Sequence, residues 1–120
     1  MRVGFALGNI GSIASTENLV KIAQRAEALA YDSLWTVDRL LWPVAPQTPY
    51  GGTPDGSLPA EYKSVLDPLD ALTFVAGHTQ KITLGTSVLD IPYYSPVMLA
   101  AYGSDWASDG RRTSTTRWAH

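Results

Sequence analysis

The sequence predicts an α/β protein assembled from parallel β/α units, on three observations. Short runs with alternating apolar residues recur around Val3–Leu7, Leu34–Val37 and Ile82–Val88. Two longer segments between them repeat apolar residues at helical spacing. The composition suits a packed domain, with 45% of the 120 residues hydrophobic and 17% charged. Three such units fit either an open doubly wound sheet or the start of a (β/α)8 barrel. In both, ligands gather at the carboxyl ends of the strands.

Each element has a local cause. Val3, Phe5 and Leu7 alternate with smaller residues, which predicts a first strand near residues 2–8. Gly8 and Gly11 mark a loop, and Ser15 or Thr16 can cap a helix near 16–30 by accepting from its free first-turn N–H groups. Leu19, Ile22, Ala23, Ala26, Leu29 and Ala30 share one face of that helix. Asp32 starts a turn, and a second strand near 33–38 ends at Asp38. Residues 39–66 form a loop holding Pro43, Pro46, Pro49, Pro54 and Pro59. Loops beyond about 12–15 residues are uncommon in compact domains unless they bind something or cover a site.

Asp67-Pro68 then pairs an N-cap with proline at the first helical position of a helix near 68–77. Leu69, Leu72, Val75 and Ala76 supply its buried face and Gly77 ends it. Ile82, Leu84, Thr86 and Val88 predict a third strand near 82–88, and Ser95-Pro96 repeats the cap-plus-proline device before residues 97–100. Ala101–His120 contains no Leu, Ile, Val or Met. We therefore divide the chain into a domain over 1–100 and a divergent, disordered tail over 101–120.

The same composition narrows the function. A net charge of −2 offers no basic footprint for nucleic acid or an anionic membrane. No apolar run approaches the ~20 residues that cross a bilayer, and no signal-like segment opens the chain, so a cytoplasmic protein is expected. Cysteine is absent, and His78 and His120 stand far apart, so a metal site lacks ligands.

The polar residues at the strand ends are the candidates for chemistry. Gly8-Asn9-Ile10-Gly11 after the first strand fails the spacing of a dinucleotide loop, and no P-loop lysine follows it. Its glycines are read as allowing a tight turn. Asp38 ends the second strand, where a carboxylate can accept from a ligand or hold a proton for transfer. It can equally cap the following loop or pair with Arg39. Thr86 and Ser87 end the third strand after Gly85, where small hydroxyls suit a flat polar ligand but also occur in ordinary core strands. His78 follows a helix C-terminus at the opposite end, where an imidazole serves the helix dipole.

Gly4-Phe5-Ala6-Leu7-Gly8, Ser33-Leu34-Trp35-Thr36-Val37-Asp38-Arg39, Leu84-Gly85-Thr86-Ser87-Val88-Leu89, Pro92 and Ser95-Pro96-Val97-Met98-Leu99-Ala100 follow one another in the chain. Together they resemble the luciferase-like monooxygenase superfamily, and within it the oxidoreductases that use the deazaflavin coenzyme F420. The resemblance implies a (β/α)8 TIM barrel that binds deazaflavin, or FMN as the alternative, at the strand C-termini. It implies that Asp38 lies near the cofactor ring. Many relatives carry histidine at the next position, where this chain has Arg39. The resemblance also implies a bulge with a cis peptide at Ser87-Val88 that backs the ring, with Thr86, Leu89 and Asp90 lining the same wall. The reaction implied is hydride transfer between the cofactor and a small organic substrate; no catalytic residue is assigned.

After Ala100 the pattern departs from that of relatives, leaving only Ser108-Asp109-Gly110-Arg111 as an echo of a turn. A barrel of this kind takes about 250 residues and eight strands. The expectation is a truncated, inactive copy of three β/α units, able to form homo-oligomers, whose single wall holds a cofactor no better than millimolar. The rivals are a non-catalytic protein and an open flavodoxin-like binding module.

Overall fold

Three parallel strands alternate with two helices in the computed structural model, which describes residues 1–101. The order is β1 (Gly4–Ala6), α1 (Thr16–Ala28), β2 (Ser33–Thr36), α2 (Pro68–Ala76) and β3 (Thr83–Thr86). The strands lie side by side as β1-β2-β3, with Phe5 opposite Leu34 and Leu34 opposite Leu84. A flavodoxin-like sheet places β1 between its two successors. Here β2 is in the middle, which overturns that rival and agrees with consecutive units of a barrel wall.

The hydrogen-bonded strands are shorter than the alternating patterns, although the alternation continues beyond them. Leu7 follows β1, is fully buried, and donates its N–H to Trp35 O at 2.8 Å. Leu34 and Thr36 are fully buried on the face toward the helices, where the Thr36 hydroxyl reaches Pro68 O at 3.4 Å. By register Leu84 and Thr86 share that face. The opposite face carries Gly4, Ala6, Ser33, Trp35, Thr83 and Gly85. Trp35 Nε1 donates to Ser33 Oγ at 2.9 Å. A Cβ on Gly4 would stand only 2.1 Å from that same oxygen, so glycine is required for the approach.

The core is Leu7, Leu19, Ala23, Ala26, Leu34, Ala71, Leu72, Val75, Ile82 and Leu84, where both helices cover one face of the sheet. In α1, Ser15 is the cap that forms: its Oγ accepts from Asn18 N at 3.2 Å. The buried face is narrower than its periodicity predicts. Leu29 is 55% exposed, and Ala30, at φ 58, lies in the left-handed region beyond the helix end. The chain has to leave the helix axis there to enter β2. Asp32 fixes the return by accepting from Val3 N at 2.6 Å.

In α2, Asp67 Oδ1 accepts from Leu69 N and Asp70 N, both at 2.9 Å, with Pro68 at the first helical position. Gly77 follows the last turn in a right-handed conformation (φ −67), so its left-handed freedom is unused. The last carbonyls are satisfied from beyond the helix: Thr79 Oγ1 donates to Val75 O at 3.0 Å, and His78 Nδ1 lies 2.8 Å from Phe74 O. His78 is thereby a helix-end residue, as predicted. Residues 96–101 are helical. The tail predicted for 101–120 lies, beyond residue 101, outside the described residues. No helix among the described residues is long and apolar enough to cross a membrane.

Candidate functional site at the strand C-termini

The turn after β1 is tight because Gly8 and Gly11 take positive φ angles of 79 and 73. It carries Asn9, only 2% exposed, under the end of β2. Asn9 Nδ2 donates to Val37 O at 2.8 Å and to Leu66 O at 3.0 Å, while Oδ1 accepts from Val37 N at 3.2 Å. The main chain continues the contact: Leu66 N donates to Asn9 O at 2.9 Å and Gly11 N to Ser64 O at 2.7 Å. Ile10 and Val65 form an antiparallel bridge. The long 39–66 loop therefore returns alongside β1 and is tied there before α2 begins.

This floor places Asp38 at the end of β2 with its carboxylate turned toward the segment after β3. Asp38 Oδ2 accepts from Asp90 N at 3.0 Å and from the Tyr94 hydroxyl at 3.1 Å. Neither alternative for Asp38 is realised: it caps nothing in its own loop and does not pair with Arg39 among the described residues. Its Oδ1 accepts no hydrogen bond from a described residue. Tyr94 also stands 3.5 Å from Asp67 Oδ2, so one phenol faces two carboxylates. Burial first, and then the Asp38 carboxylate that accepts its proton, hold the Tyr94 hydroxyl far above the usual phenol range.

The residues predicted to form the wall divide into two groups. Asp38 and Asp90 are joined directly, and Val88 and Leu89 lie in the segment between β3 and Asp90. Val88 is 50% exposed, so an apolar surface stands open two residues before the Asp90 N–H that Asp38 accepts. Ser87 closes the β2–β3 ladder instead: both its N–H, at 2.8 Å, and its Oγ, at 3.1 Å, donate to Thr36 O. Thr86 is on the helix-facing side, in register with Thr36.

The cis peptide expected at Ser87-Val88 is corrected, since every described peptide bond is trans. A cis bond without proline costs about 3–4 kcal/mol and persists only where surroundings over-determine it. The described neighbours hold Ser87 from the β2 side alone.

Asn9, Tyr94 and the second role of Asp67 were not anticipated. Asn9 stands in a loop whose glycines are read as permitting a tight turn, with no role given to the residue between them. Tyr94, between Pro92 and Pro96, carries no periodic signal. A polar side chain directly following a strand is the one cue that could have singled out Asn9.

A concavity of about 740 Å3 opens at the amino ends of the strands between Arg2, Asp32, Trp35 and Lys81. Its carboxylates are occupied by the main chain. Asp32 holds Val3 N, and Glu27 accepts from Gln80 N, Lys81 N and Ile82 N. Chemistry in β/α folds sits at the other end. No group of three or more His, Asp or Glu capable of holding a metal occurs among the described residues.

A search of curated proteins found no match. Residues 3–111 match the profile of the luciferase-like monooxygenase family, covering all three strands and both helices. With parallel β/α units in sequential order and the polar cluster at their carboxyl ends, the chain belongs to the luciferase-like monooxygenase family.

Proposed function

We propose that the chain forms one wall of the cofactor site of an oxidoreductase. In this reading hydride moves between the deazaflavin coenzyme F420 and a small organic substrate, with FMN as the alternative cofactor. The observation that carries it is Asp38, with Oδ1 free of described partners, bonded to the Asp90 N–H that lies two residues beyond the exposed Val88. A flat heteroaromatic ring asks for that pair: an apolar surface against its face and an acceptor for a ring N–H. When bound, the cofactor supplies the hydride donor or acceptor.

The chain's own residues hold and orient. Val88 and Leu89 back the ring, and Asp38 accepts from its polar edge. Asp90 N and the Tyr94 hydroxyl fix the Asp38 carboxylate in one rotamer, which preorganises the acceptor. The test is an NMR titration of the 120-residue protein with coenzyme F420 and, separately, with FMN, up to millimolar ligand. Shifts at the amides of Asp38 and of residues 88–90 are expected, larger for the deazaflavin. Shifts with FMN alone would overturn the choice of cofactor. Silence with both would overturn the site.

A further inference from the structure

We propose that Arg39 and the 39–66 loop form a subsite for the carboxylate of an organic acid. The Nε of Arg39 is buried and has no hydrogen-bond partner, the one such side-chain atom among the described residues. A buried donor left without a partner is costly, more so when it carries charge, so a native orphan of this kind calls for an explanation, and an acceptor against the guanidinium supplies one. The guanidinium also lacks a counter-ion among the described residues. The loop's own carboxylates do not supply one. Asp55 is turned onto Ser57, whose N–H and Oγ hold its carboxyl below the usual range. Glu61 forms no ion pair with it.

The surroundings favour a carboxylate. The Arg39 guanidinium carbon lies 5.2 Å from the centre of the Tyr62 ring. The ring contact gives the guanidinium no oxygen acceptor, and a planar, two-oxygen acceptor matches the fork of its N–H donors. Tyr62 is itself held by Tyr50, with the two rings edge to face at 6.1 Å and the hydroxyls 3.4 Å apart. Arg39, Thr48 and Tyr50 line a cleft of about 130 Å3 whose other walls are mainly Pro43, Pro46 and Pro49. That is room for roughly four waters at ~30 Å3 each. It suits a carboxylate with the start of an apolar body, and is well below the ~300 Å3 at which cofactor pockets begin.

Arg39 directly follows Asp38, and the two side chains diverge, one toward β3 and the other toward the loop. The cleft is lined by residues of the 39–66 loop, which Arg39 joins to the end of β2. A small organic acid as the substrate of the proposed oxidoreductase rests on the function proposed above; the binding itself does not.

The experiment is titration of the 120-residue protein, without cofactor, with sodium benzoate in one arm and inorganic phosphate in another. The readouts are the Arg39 Nε–H resonance and the ring resonances of Tyr50 and Tyr62. Benzoate is expected to give saturable shifts. Arg39→Gln should abolish them, and Arg39→Lys should weaken binding about tenfold, because the charge survives and the fork does not. Amide dispersion of each variant establishes that it is folded, and Thr48→Val offers a second variant outside the stacked cluster, expected to weaken binding severalfold. Saturation by phosphate and not benzoate would overturn the assignment, as would no shift with either or undiminished shifts in Arg39→Gln. Because cofactor is absent, benzoate binding by a protein that ignores both cofactors would uphold this site and refute the oxidoreductase reading.

Discussion

The Tyr94 hydroxyl donates to Asp38 Oδ2 at 3.1 Å, bridging 56 residues of chain and joining the end of β2 to the segment after β3. Asp90 N reaches the same oxygen at 3.0 Å. One carboxylate oxygen thus organises both segments while the other stays available.

Tyr94 should make stability fall in alkaline solution. Its folded-state value is raised, by burial and by Asp38, above the ordinary phenol value near 10. Below pH about 10 both states keep the proton, and the contribution is complete. Above it the unfolded chain releases the proton first, so stability declines as pH climbs toward the folded value. Urea midpoints measured across this range should drop less steeply in Tyr94→Phe. Tyr62, raised chiefly by its bond to Tyr50, contributes in the same direction, so a shallower slope should remain in the variant. Identical slopes in wild type and Tyr94→Phe would contradict the assignment.

Asn9→Leu should be among the most damaging single changes. It leaves Val37 N, Val37 O and Leu66 O without their side-chain partner at a site only 2% exposed. At about 1–3 kcal/mol for each buried group left unsatisfied, a loss of roughly 3 kcal/mol or more is expected. The check is a urea midpoint, together with faster amide exchange at Val37. A midpoint within error of wild type would show that the loop is held elsewhere.

Legibility in the sequence followed the range of the interactions. Both helix starts were readable because their causes are local: Ser15 reaches Asn18, and Asp67 reaches Leu69 and Asp70. The helix end at Ala28 was not, since the periodicity runs on through Leu29 and only the turn into β2 stops it. Asp38 was singled out by its place at a strand end, whereas its partners, 52 and 56 residues away, belong to the fold. Asn9 is the same case, with partners 28 and 57 residues away. The orphaned Nε of Arg39 depends on how a proline-rich loop closes, which no spacing encodes.

Glu27 should matter for β3 and not for the site. Its carboxylate accepts from three consecutive amides, Gln80, Lys81 and Ile82, at the entrance to that strand. Glu27→Ala leaves those partly solvated N–H groups to water, an expected cost of about 1–2 kcal/mol. Glu27→Gln, which keeps one acceptor oxygen, should cost less. Amide exchange at Ile82 should quicken while that at Asp90 stays unchanged. Equal acceleration at both would mean that the two ends of β3 open together.

The last prediction separates the fold of the strand ends from their chemistry. Ser87→Pro removes the N–H that donates to Thr36 O at 2.8 Å, and with it the Oγ bond to the same carbonyl. That N–H bond is the last rung of the ladder, at the point where β3 hands the chain on to Val88 and Asp90. The variant should lose stability and cofactor-induced shifts together, because the wall is displaced. Asp38→Asn differs. Its side-chain oxygen can still accept from Asp90 N and Tyr94, so the backbone around residue 90 should stay in place. What changes is the outward-facing atom: the acceptor at Oδ1 becomes an amide donor, mismatched to a ring N–H. Hydrogen bonds to charged groups contribute about 1.5–3 kcal/mol, and 1.4 kcal/mol is tenfold in affinity, so deazaflavin binding should weaken at least about tenfold with the midpoint nearly unchanged. If Asp38→Asn binds as tightly as wild type, the carboxylate only braces the turn at Asp90 and does not contact the ring. If Ser87→Pro keeps both its stability and its shifts, the bond to Thr36 does not position the wall.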